Sequence, residues 1–304
     1  MERLNPAQKQ KPREVLNGFF PMAEHVAATL AGRLPELELH ARKLVFDIRN
    51  GIHGIKNAGH GDLFWQHRPL ASGEAMGAVD WRRSARTDDL YIREYERVSP
   101  QHYWIWIDLS ASMSYKSEAI YDTKLERAII VGLALAEIAA AQGDFVGIPG
   151  IRELIRGHNV TYRLANSLKD SILSGHDFNP SLIPPHDGSL VILSDFWQPA
   201  DALVKRFKLL SSFQTGNLVR ILDPLEPKFD FKNSVEFIDN ESEGRIFLDS
   251  PQDFKSTYEN KFQDHEIQLK KVAAGLGWPI TTHLTNTPAL SLLADILTTN
   301  NGER

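Results

Sequence analysis

Hydrophobic residues after Pro100 fall into short runs that alternate with longer amphipathic segments. The short runs are rich in Val, Ile, Leu and aromatic residues, which predicts buried strands at 103–107, 145–148, 189–196, 217–223 and 278–284. The longer segments predict helices at 123–142, 162–173, 202–211, 251–276 and 289–297. Strands that alternate with helices favour a doubly wound, mostly parallel α/β sheet of the Rossmann-like class, with right-handed crossovers.

The first helix after Pro100 has clear signals at both ends. Thr123 and Glu126 have the spacing of a capping box, in which each side chain accepts a hydrogen bond from the backbone N–H of the other residue. Gly143 is a typical helix stop. Apolar residues cover nearly the whole circumference between these signals, so we expect this helix to be buried against the sheet.

The pattern before Pro100 is different. Two amphipathic segments, 22–34 and 37–49, predict a pair of helices separated by the helix breaker Pro35. A group of glycines between positions 51 and 61 then predicts a loop. We therefore expect an N-terminal helical and small β appendage to the α/β fold.

A change of composition at Ser99-Pro100 indicates a domain boundary. Polar, Gly- and Arg-rich sequence gives way there to alternating strands and helices. We predict an N-terminal region over 1–99 and an α/β domain over 100–304. A hairpin-like stretch at 234–248 is a candidate for a small insertion in the second domain.

Composition narrows the functional classes. The 304 residues are 42% hydrophobic with a formal net charge of −5, and this mild acidity argues against bulk nucleic-acid binding. The absence of cysteine excludes disulfides and thiolate metal sites. The charged N-terminus lacks the apolar region of a signal peptide, and the longest apolar run, 128–136, is too short to span a membrane. We therefore expect a cytoplasmic protein without a membrane span.

Polar side chains stand where two of the predicted strands end. Asp108, Ser110 and Ser112 follow the first strand at alternate positions, which lets their oxygens converge. One carboxylate and two hydroxyls suit a hard divalent ion, Mg²⁺ or Mn²⁺. Asp195 lies at the polar end of the strand over 189–196, and the carboxyl ends of parallel strands meet at one edge of a sheet. The alternative is that these residues are turn or helix-cap residues, which local hydrogen bonding favours after strands.

The D-L-S-A-S motif, the buried helix after it and the later Ser-Asp strand resemble a von Willebrand factor type A domain with its metal-ion-dependent adhesion site. That resemblance implies a doubly wound α/β fold in which Asp108, Ser110 and Ser112 are metal ligands. It also implies an aspartate from a third loop, which matches Asp195. A threonine ligand from a second loop is implied as well, and we expect it at Thr161, for which a helix-cap role is the alternative.

The chain departs from that family's pattern at two positions next to the expected ligands. Ala111 and Phe196 stand where many members of the family carry glycine. The departures concern the metal site and leave the predicted fold unchanged.

The segment 59–98 resembles the signature region of domain-of-unknown-function family 58. The matching stretches are Val79-Asp80-Trp81-Arg82, Ser84-Ala85-Arg86-Thr87 and Tyr91-Ile92-Arg93-Glu94-Tyr95. Proteins similar to this family are commonly encoded beside AAA+ ATPases of the MoxR type, so the resemblance implies such an ATPase as a partner. Within the segment we expect Asp80 to pair with a neighbouring arginine and Trp81 to pack in the core, with a partner-facing Arg and Trp surface as the alternative.

Other catalytic motifs are missing from the sequence. The chain carries no Walker A sequence, no G-x-G-x-x-G after a strand, no G-x-S-x-G and no H-E-x-x-H. These absences argue against nucleotide binding and against serine or zinc hydrolase chemistry.

Three functions stay open at this point. The one we favour is a non-enzymatic interaction or adaptor module, in which a bound metal completes its coordination with an acidic residue of a partner or client. The second is a metal-free scaffold of the same fold. The third is a metal-dependent phosphatase or hydrolase that uses Asp108 as ligand or nucleophile, although the sequence offers no second carboxylate beside it and no evident general base.

Overall fold

The computed structural model describes residues 24–51, 64–70, 79–86, 89–95, 100–149, 154–174, 188–208, 213, 215–231, 233–238 and 245–301. The helices are α1 (Glu24–Gly51), α2 (Trp81–Ser84), α3 (Lys124–Ala141), α4 (Val160–Ser174), α5 (Ala200–Lys208), α6 (Pro251–Leu276) and α7 (Ala289–Asn301). The strands are β1 (Phe64–Pro69), β2 (Tyr91–Tyr95), β3 (His102–Ile107), β4 (Phe145–Gly147), β5 (Ser189–Ser194), β6 (Thr215–Leu222), β7 (Val235–Ile238), β8 (Arg245–Leu248) and β9 (Ile280–Leu284). A short 3₁₀ helix covers Ala111–Ser114.

Five strands form one parallel sheet in the order β4-β3-β5-β6-β9. The first strand of this sheet along the chain is β3, and the later strands lie on both sides of it, so the strand order reverses between β3 and β5. Ligands of open α/β sheets bind beyond the carboxyl ends of the strands at such a switch point. The prediction of a doubly wound, mostly parallel α/β fold is confirmed.

Alternate residues of β3 build two hydrophobic cores. Ile105 and Ile107 pack in the layer that contains α1, α3, α4 and α7. Trp104 and Trp106 pack in the opposite layer, with α5 and α6. Successive side chains of a strand point to opposite faces, so a strand that is apolar at every position needs helices on both faces. This requirement explains the uninterrupted apolar run in the sequence.

Helix α3 is buried on all sides because it lies between the sheet and α1. Its capping box is present as predicted: Glu126 N donates to Thr123 Oγ1 at 3.1 Å, and Thr123 N donates to Glu126 Oε2 at 2.8 Å. A methyl group on Gly132 would approach Ile107 Cδ1 to 2.9 Å, so the helix backbone lies directly on β3. The first residue of α3, Lys124, thereby reaches the carboxyl edge of the sheet.

Helix α1 is continuous, so the prediction of two helices separated by Pro35 is wrong. A proline inside a helix removes one backbone hydrogen bond and costs about 3 kcal/mol. Pro35 lies on the exposed side of α1. The opposite side buries the apolar residues Ala27, Leu30, Ala31, Leu34, Leu37, Ala41, Leu44, Val45 and Ile48. Burial of this long apolar stripe outweighs the cost of the proline.

Helix α1 also shares its core with the α/β domain, although it precedes the predicted boundary at Ser99-Pro100. Leu37 and Ala41 belong to the same hydrophobic cluster as Ile129 and Leu133 of α3. The domain boundary itself stays a prediction. The antiparallel pair of β1 and β2 forms a separate small sheet, and most of the predicted glycine loop lies outside the described residues.

Around α2 the structure differs from the prediction for Trp81, while the pairing of Asp80 with an arginine side chain stays a prediction. Asp80 caps α2 by accepting hydrogen bonds from Arg82 N at 3.1 Å and Arg83 N at 3.2 Å, and its carboxylate also contacts His67 Nε2 at 3.1 Å. Trp81 is 58% exposed, so the prediction that it packs in the core is wrong. Helix α2 is a single turn and buries one side. Ser84 lies on that side, and Trp81 lies outside it.

The predicted hairpin at 234–248 is confirmed as the antiparallel pair of β7 and β8. The other strands and helices predicted after Pro100 lie within a few residues of their expected bounds. Within the described ranges, no helix combines the length and the apolar character needed to cross a membrane.

Candidate functional site

The candidate site lies at the carboxyl ends of β3 and β5, where the strand order reverses. Asp108 follows directly after β3, and Ser194 ends β5 with Asp195 next to it. The two strand ends are joined through the backbone, because Asp108 N donates to Leu193 O at 2.9 Å. Parallel pairing therefore brings together two aspartates that are distant in sequence, as the sequence predicts.

The carboxylate of Asp108 is only 1% exposed and is held by two donors. Ser110 N donates to Oδ1 at 2.9 Å, and the Ser194 hydroxyl donates to Oδ2. Burial raises the pKa of Asp108, and the negative charge of Asp195 raises it further, while the hydrogen bonds from both serines act in the opposite direction. Asp108 is thus a buried carboxylate whose orientation is fixed by two hydrogen bonds.

The two serines of the D-L-S-A-S motif converge beside Asp108. Ser110 Oγ and Ser112 Oγ are 3.1 Å apart, because the 3₁₀ helix that begins at Ala111 turns the chain back toward the strand end. Adjacent ligands of an octahedral Mg²⁺ ion at about 2.1 Å are roughly 3 Å from each other. The hydroxyl pair therefore has the spacing of neighbouring ligands of such an ion.

Asp195 has a different partner from the one expected. The Lys124 ammonium lies 2.8 Å from Asp195 Oδ2 and 2.6 Å from Glu226 Oε1, and the lysine is 1% exposed. Burial lowers the pKa of Lys124, but the two carboxylates more than compensate and raise it above its ordinary value. The ammonium is therefore a permanent positive charge beside Asp195.

Phe196 adopts a backbone conformation that favours glycine. Its φ of 53° lies in the left-handed region, which glycine adopts without steric cost and other residues rarely do. Phe196 N donates to Ser194 Oγ at 3.0 Å, and its buried ring packs edge-on against Phe207. Core burial of the ring thus offsets the strained backbone that turns the chain after Asp195.

Sequence reasoning missed a second layer of charged residues around Asp195. Arg220 Nε donates to Asp195 O at 3.3 Å, and its guanidinium lies beside the rings of Trp197 and Phe262, 5.3 Å and 5.0 Å from their centroids. Burial lowers the pKa of Arg220. A charged residue inside the apolar strand N-L-V-R-I-L-D is the signal that could have identified Arg220.

The carboxylates of Asp223 and Glu226 complete this layer. Asp223 Oδ2 accepts hydrogen bonds from Ser117 N at 2.8 Å and Ser117 Oγ at 2.9 Å, which fixes the loop after the 3₁₀ helix. Glu226 accepts from Trp197 Nε1 at 3.0 Å as well as from Lys124. The positive charge of a lysine in the first turn of a helix is unfavourable beside the positive end of the helix dipole. This placement was the only feature of the sequence that could have identified Lys124 as a residue of the site.

Thr161 does not lie at this edge of the sheet. It is buried in the first turn of α4, and its hydroxyl accepts from Arg42 Nε of α1 at 3.2 Å. Arg42 lines a cavity together with the last two residues of α3, whereas Lys124 at the start of α3 contacts Asp195. A helix of 18 residues is about 27 Å long, so Thr161 and Asp195 lie at opposite ends of α3.

The predicted ligands therefore fit a divalent ion in part. Asp108, Ser110 and Ser112 have the donor atoms and spacing for a hard ion, while Asp195 faces an ammonium and Thr161 lies elsewhere. Throughout the described part of the chain, no three His, Asp or Glu side chains are grouped to hold a metal. The fit rests on one carboxylate and two hydroxyls.

Comparison with known proteins gives one result. A family model described as "Protein of unknown function DUF58" matches residues 66–158. The matched segment contains Asp108, Ser110 and Ser112 but neither Asp195 nor Thr161. The match supports the assignment to that family for just under a third of the chain. No curated protein and no solved structure matches the chain.

Proposed function

We propose that this chain is a non-enzymatic interaction or adaptor module that binds a protein partner at the carboxyl edge of its parallel sheet, between β3 and β5. The site is of the metal-ion-dependent adhesion type. Asp108, Ser110 and Ser112 are the residues that would hold Mg²⁺ or Mn²⁺. The likeness of the D-L-S-A-S motif to von Willebrand factor type A domains supports this assignment.

One observation carries the proposal. The two hydroxyls of the motif stand 3.1 Å apart beside a buried, hydrogen-bonded carboxylate, at the switch point of a parallel sheet. Their separation is that of a hydrogen bond between the two hydroxyls, and it is also the separation of adjacent ligands of an octahedral Mg²⁺ ion. The same residues supply oxygen ligands of the kind that Mg²⁺ and Mn²⁺ prefer.

A divalent ion held by one carboxylate and two hydroxyls keeps a net positive charge and would supply an electrophilic centre for an acidic side chain of the partner. The chain contributes rigidity to this centre. Ser110 N and the Ser194 hydroxyl hold the Asp108 carboxylate in one orientation before any ligand arrives. Recognition of an acidic residue then needs little rearrangement.

The partner we propose is a protein. The likeness to family 58 favours an AAA+ ATPase of the MoxR type, together with a client that bears an acidic residue. A cytoplasmic location and the absence of nucleic-acid binding belong to the same proposal, in line with the mild negative charge of the chain.

Titration of Mn²⁺ by calorimetry, with and without an acidic peptide, tests this function. We expect the wild type to bind one ion and Asp108→Ala and Asp108→Asn to lose it. Asp249→Ala, which removes an exposed aspartate outside the site, is the matched control. A wild type that is folded but binds no ion in the presence of the peptide would refute the metal-dependent part of the proposal.

A metal-free scaffold is the second candidate, and the Lys124–Asp195 contact favours it. In that case partner binding survives chelation of divalent ions and the substitution Asp108→Asn. Binding of a purified candidate ATPase, measured with magnesium and with EDTA, separates the two functions.

A further inference from the structure

The carboxyl edge of the sheet contains more negative than positive buried charge. Four carboxylates lie there, those of Asp108, Asp195, Asp223 and Glu226. Two cationic side chains, Lys124 and Arg220, face them. Buried charges are stable only when they are paired and hydrogen-bonded, so the placement of the two cations decides which carboxylate can take a further positive ion.

Lys124 fills the space between two of these carboxylates, Asp195 and Glu226. Its ammonium is bound to one oxygen of Asp195 at 2.8 Å and to one oxygen of Glu226 at 2.6 Å. The side chain is almost fully buried, and the ring of Tyr115 lies 5.9 Å from Nζ on a further side. The two carboxylates thus hold a positive charge between them as they would hold a metal ion.

The lysine reaches this position because the fold fixes its backbone. The capping box at Thr123 starts α3 at this edge, and the close packing of Gly132 on Ile107 holds the helix against β3. The ammonium is therefore tethered at the site and competes with any dissolved cation at a very high effective concentration.

We propose that Lys124 fills a cation site between Asp195 and Glu226 that would otherwise take a divalent ion, so that Asp195 serves as a ligand of the lysine in this protein. The inference rests on the proposed function for the location of the binding edge. It adds that this edge has two cation positions. One is filled by the chain itself, and the other, at Asp108, is left for the metal and the partner.

Removal of the ammonium should open the first position. Asp195 and Glu226 would then lose the ammonium that binds their carboxylate oxygens and keep the guanidinium of Arg220 nearby, an arrangement that is unfavourable until a further cation binds. Lys124→Ala also removes the side-chain stem, which leaves room for an ion with its water ligands. Alanine is a good helix former, so the first turn of α3 is preserved.

The test measures binding of Mn²⁺ by calorimetry and of Tb³⁺ by luminescence. Trp197 Nε1 donates to Glu226 Oε1 at 3.0 Å, so a Tb³⁺ ion at Glu226 lies near the indole and is sensitised by it. We expect Lys124→Ala to bind one more ion per chain than the wild type, in which the ammonium holds that position. Trp197→Phe in that background should weaken the sensitised emission, and the emission that remains is expected to come from Tyr115, whose ring lies 5.9 Å from the position of the ammonium.

Matched variants locate the new site. Lys116→Ala should gain no ion-binding site. This variant removes an exposed lysine that donates to Tyr121 O. Adding Asp195→Asn or Glu226→Gln to Lys124→Ala should abolish the gained site, whereas adding Asp108→Asn should leave it. The last comparison separates this inference from the proposed function, because a wild type that binds no ion at Asp108 can still gain a site when Lys124 is removed.

The inference is overturned if folded Lys124→Ala gains no ion, or if the gained ion persists without Asp195. If Lys124→Ala does not fold alone, thermal unfolding in millimolar Mn²⁺ decides the question. Recovery of a cooperative transition that depends on Glu226 supports the inference, and a chain that stays unfolded at saturating Mn²⁺ contradicts it.

Discussion

Ser194, the last residue of β5, donates its hydroxyl proton to the carboxylate of Asp108, the first residue after β3. The same serine oxygen accepts a hydrogen bond from Phe196 N. One side chain therefore joins the ends of two neighbouring strands and fixes the turn that carries Asp195. This contact makes the two halves of the candidate site a single unit.

Loss of that contact should destabilise the protein. Ser194→Ala removes the donor to Oδ2 of the buried Asp108 carboxylate and the acceptor of the Phe196 N–H, and we expect a loss of about 1 to 3 kcal/mol in the free energy of unfolding. Urea denaturation followed by circular dichroism measures it. The control is Ser189→Ala at the other end of β5, where the hydroxyl contacts Thr215 in an exposed position. An equal loss in both variants would contradict the assigned role of Ser194.

The packing of α1 gives a second prediction. Leu37 is fully buried against α3, whereas Leu39 on the same helix is 66% exposed. Leu37→Ala should cost about 2 to 5 kcal/mol in the free energy of unfolding, because it removes buried methyl groups and leaves a cavity. Leu39→Ala should change the free energy by less than about 0.5 kcal/mol. A single cooperative transition in both variants is expected if α1 belongs to the α/β core, and two separate transitions would show that it does not.

A close contact at the start of β6 gives a third prediction. A methyl group on Gly216 would overlap the indole of Trp278, which is buried in the core with α6. Gly216→Ala should therefore destabilise the protein by about 1 to 3 kcal/mol through overpacking. Gly275→Ala in α6 meets no atom within 4 Å and should stabilise by roughly 0.5 to 1 kcal/mol, because alanine favours a helix. Thermal unfolding compares the two, and a stabilising Gly216→Ala would show that Trp278 packs elsewhere.

The pH dependence of stability provides the fourth prediction. Burial lowers the pKa of His283 to about 4, and the positive charge of Arg127 contributes in the same direction. Thr287 Oγ1 donates to Leu284 O and so accepts from His283 Nδ1, which leaves Nε2 to accept from Arg127 at 3.4 Å. Neutral imidazole is therefore the form that the fold stabilises.

The unfolded chain binds the proton more readily than the folded chain, since the ordinary pKa of histidine is about 6.5. The contribution of His283 to stability is present above pH 6.5 and is lost as the pH falls toward 4, by about 3 kcal/mol at most. We expect His283→Gln to show a smaller decrease between pH 7 and pH 4.5 than the wild type. The exposed His158→Gln should behave like the wild type. Equal decreases in wild type and His283→Gln would contradict the assignment.

Two failures of sequence reasoning have the same physical origin. The local cost of Pro35 predicts a helix break, but the apolar stripe of α1 is buried against α3 and α4 and outweighs that cost. The prediction for Trp81 is a core position, but the cap at Asp80 leaves its side chain exposed. In both cases the outcome depends on what the rest of the fold places next to the residue.

The sequence by itself determined the parallel α/β architecture and the position of Asp108, Ser110, Ser112 and Asp195 at strand ends. Hydrophobic periodicity and the alternation of short and long segments depend on which residues follow one another in the sequence. They can therefore be identified before the fold is known. Only the tertiary structure decided which charges meet. Lys124 and Asp195 are 71 residues apart, and the ammonium reaches the carboxylate because α3 packs directly on β3. Thr161, which the resemblance to type A domains placed with the ligands, is separated from Asp195 by the length of that same helix.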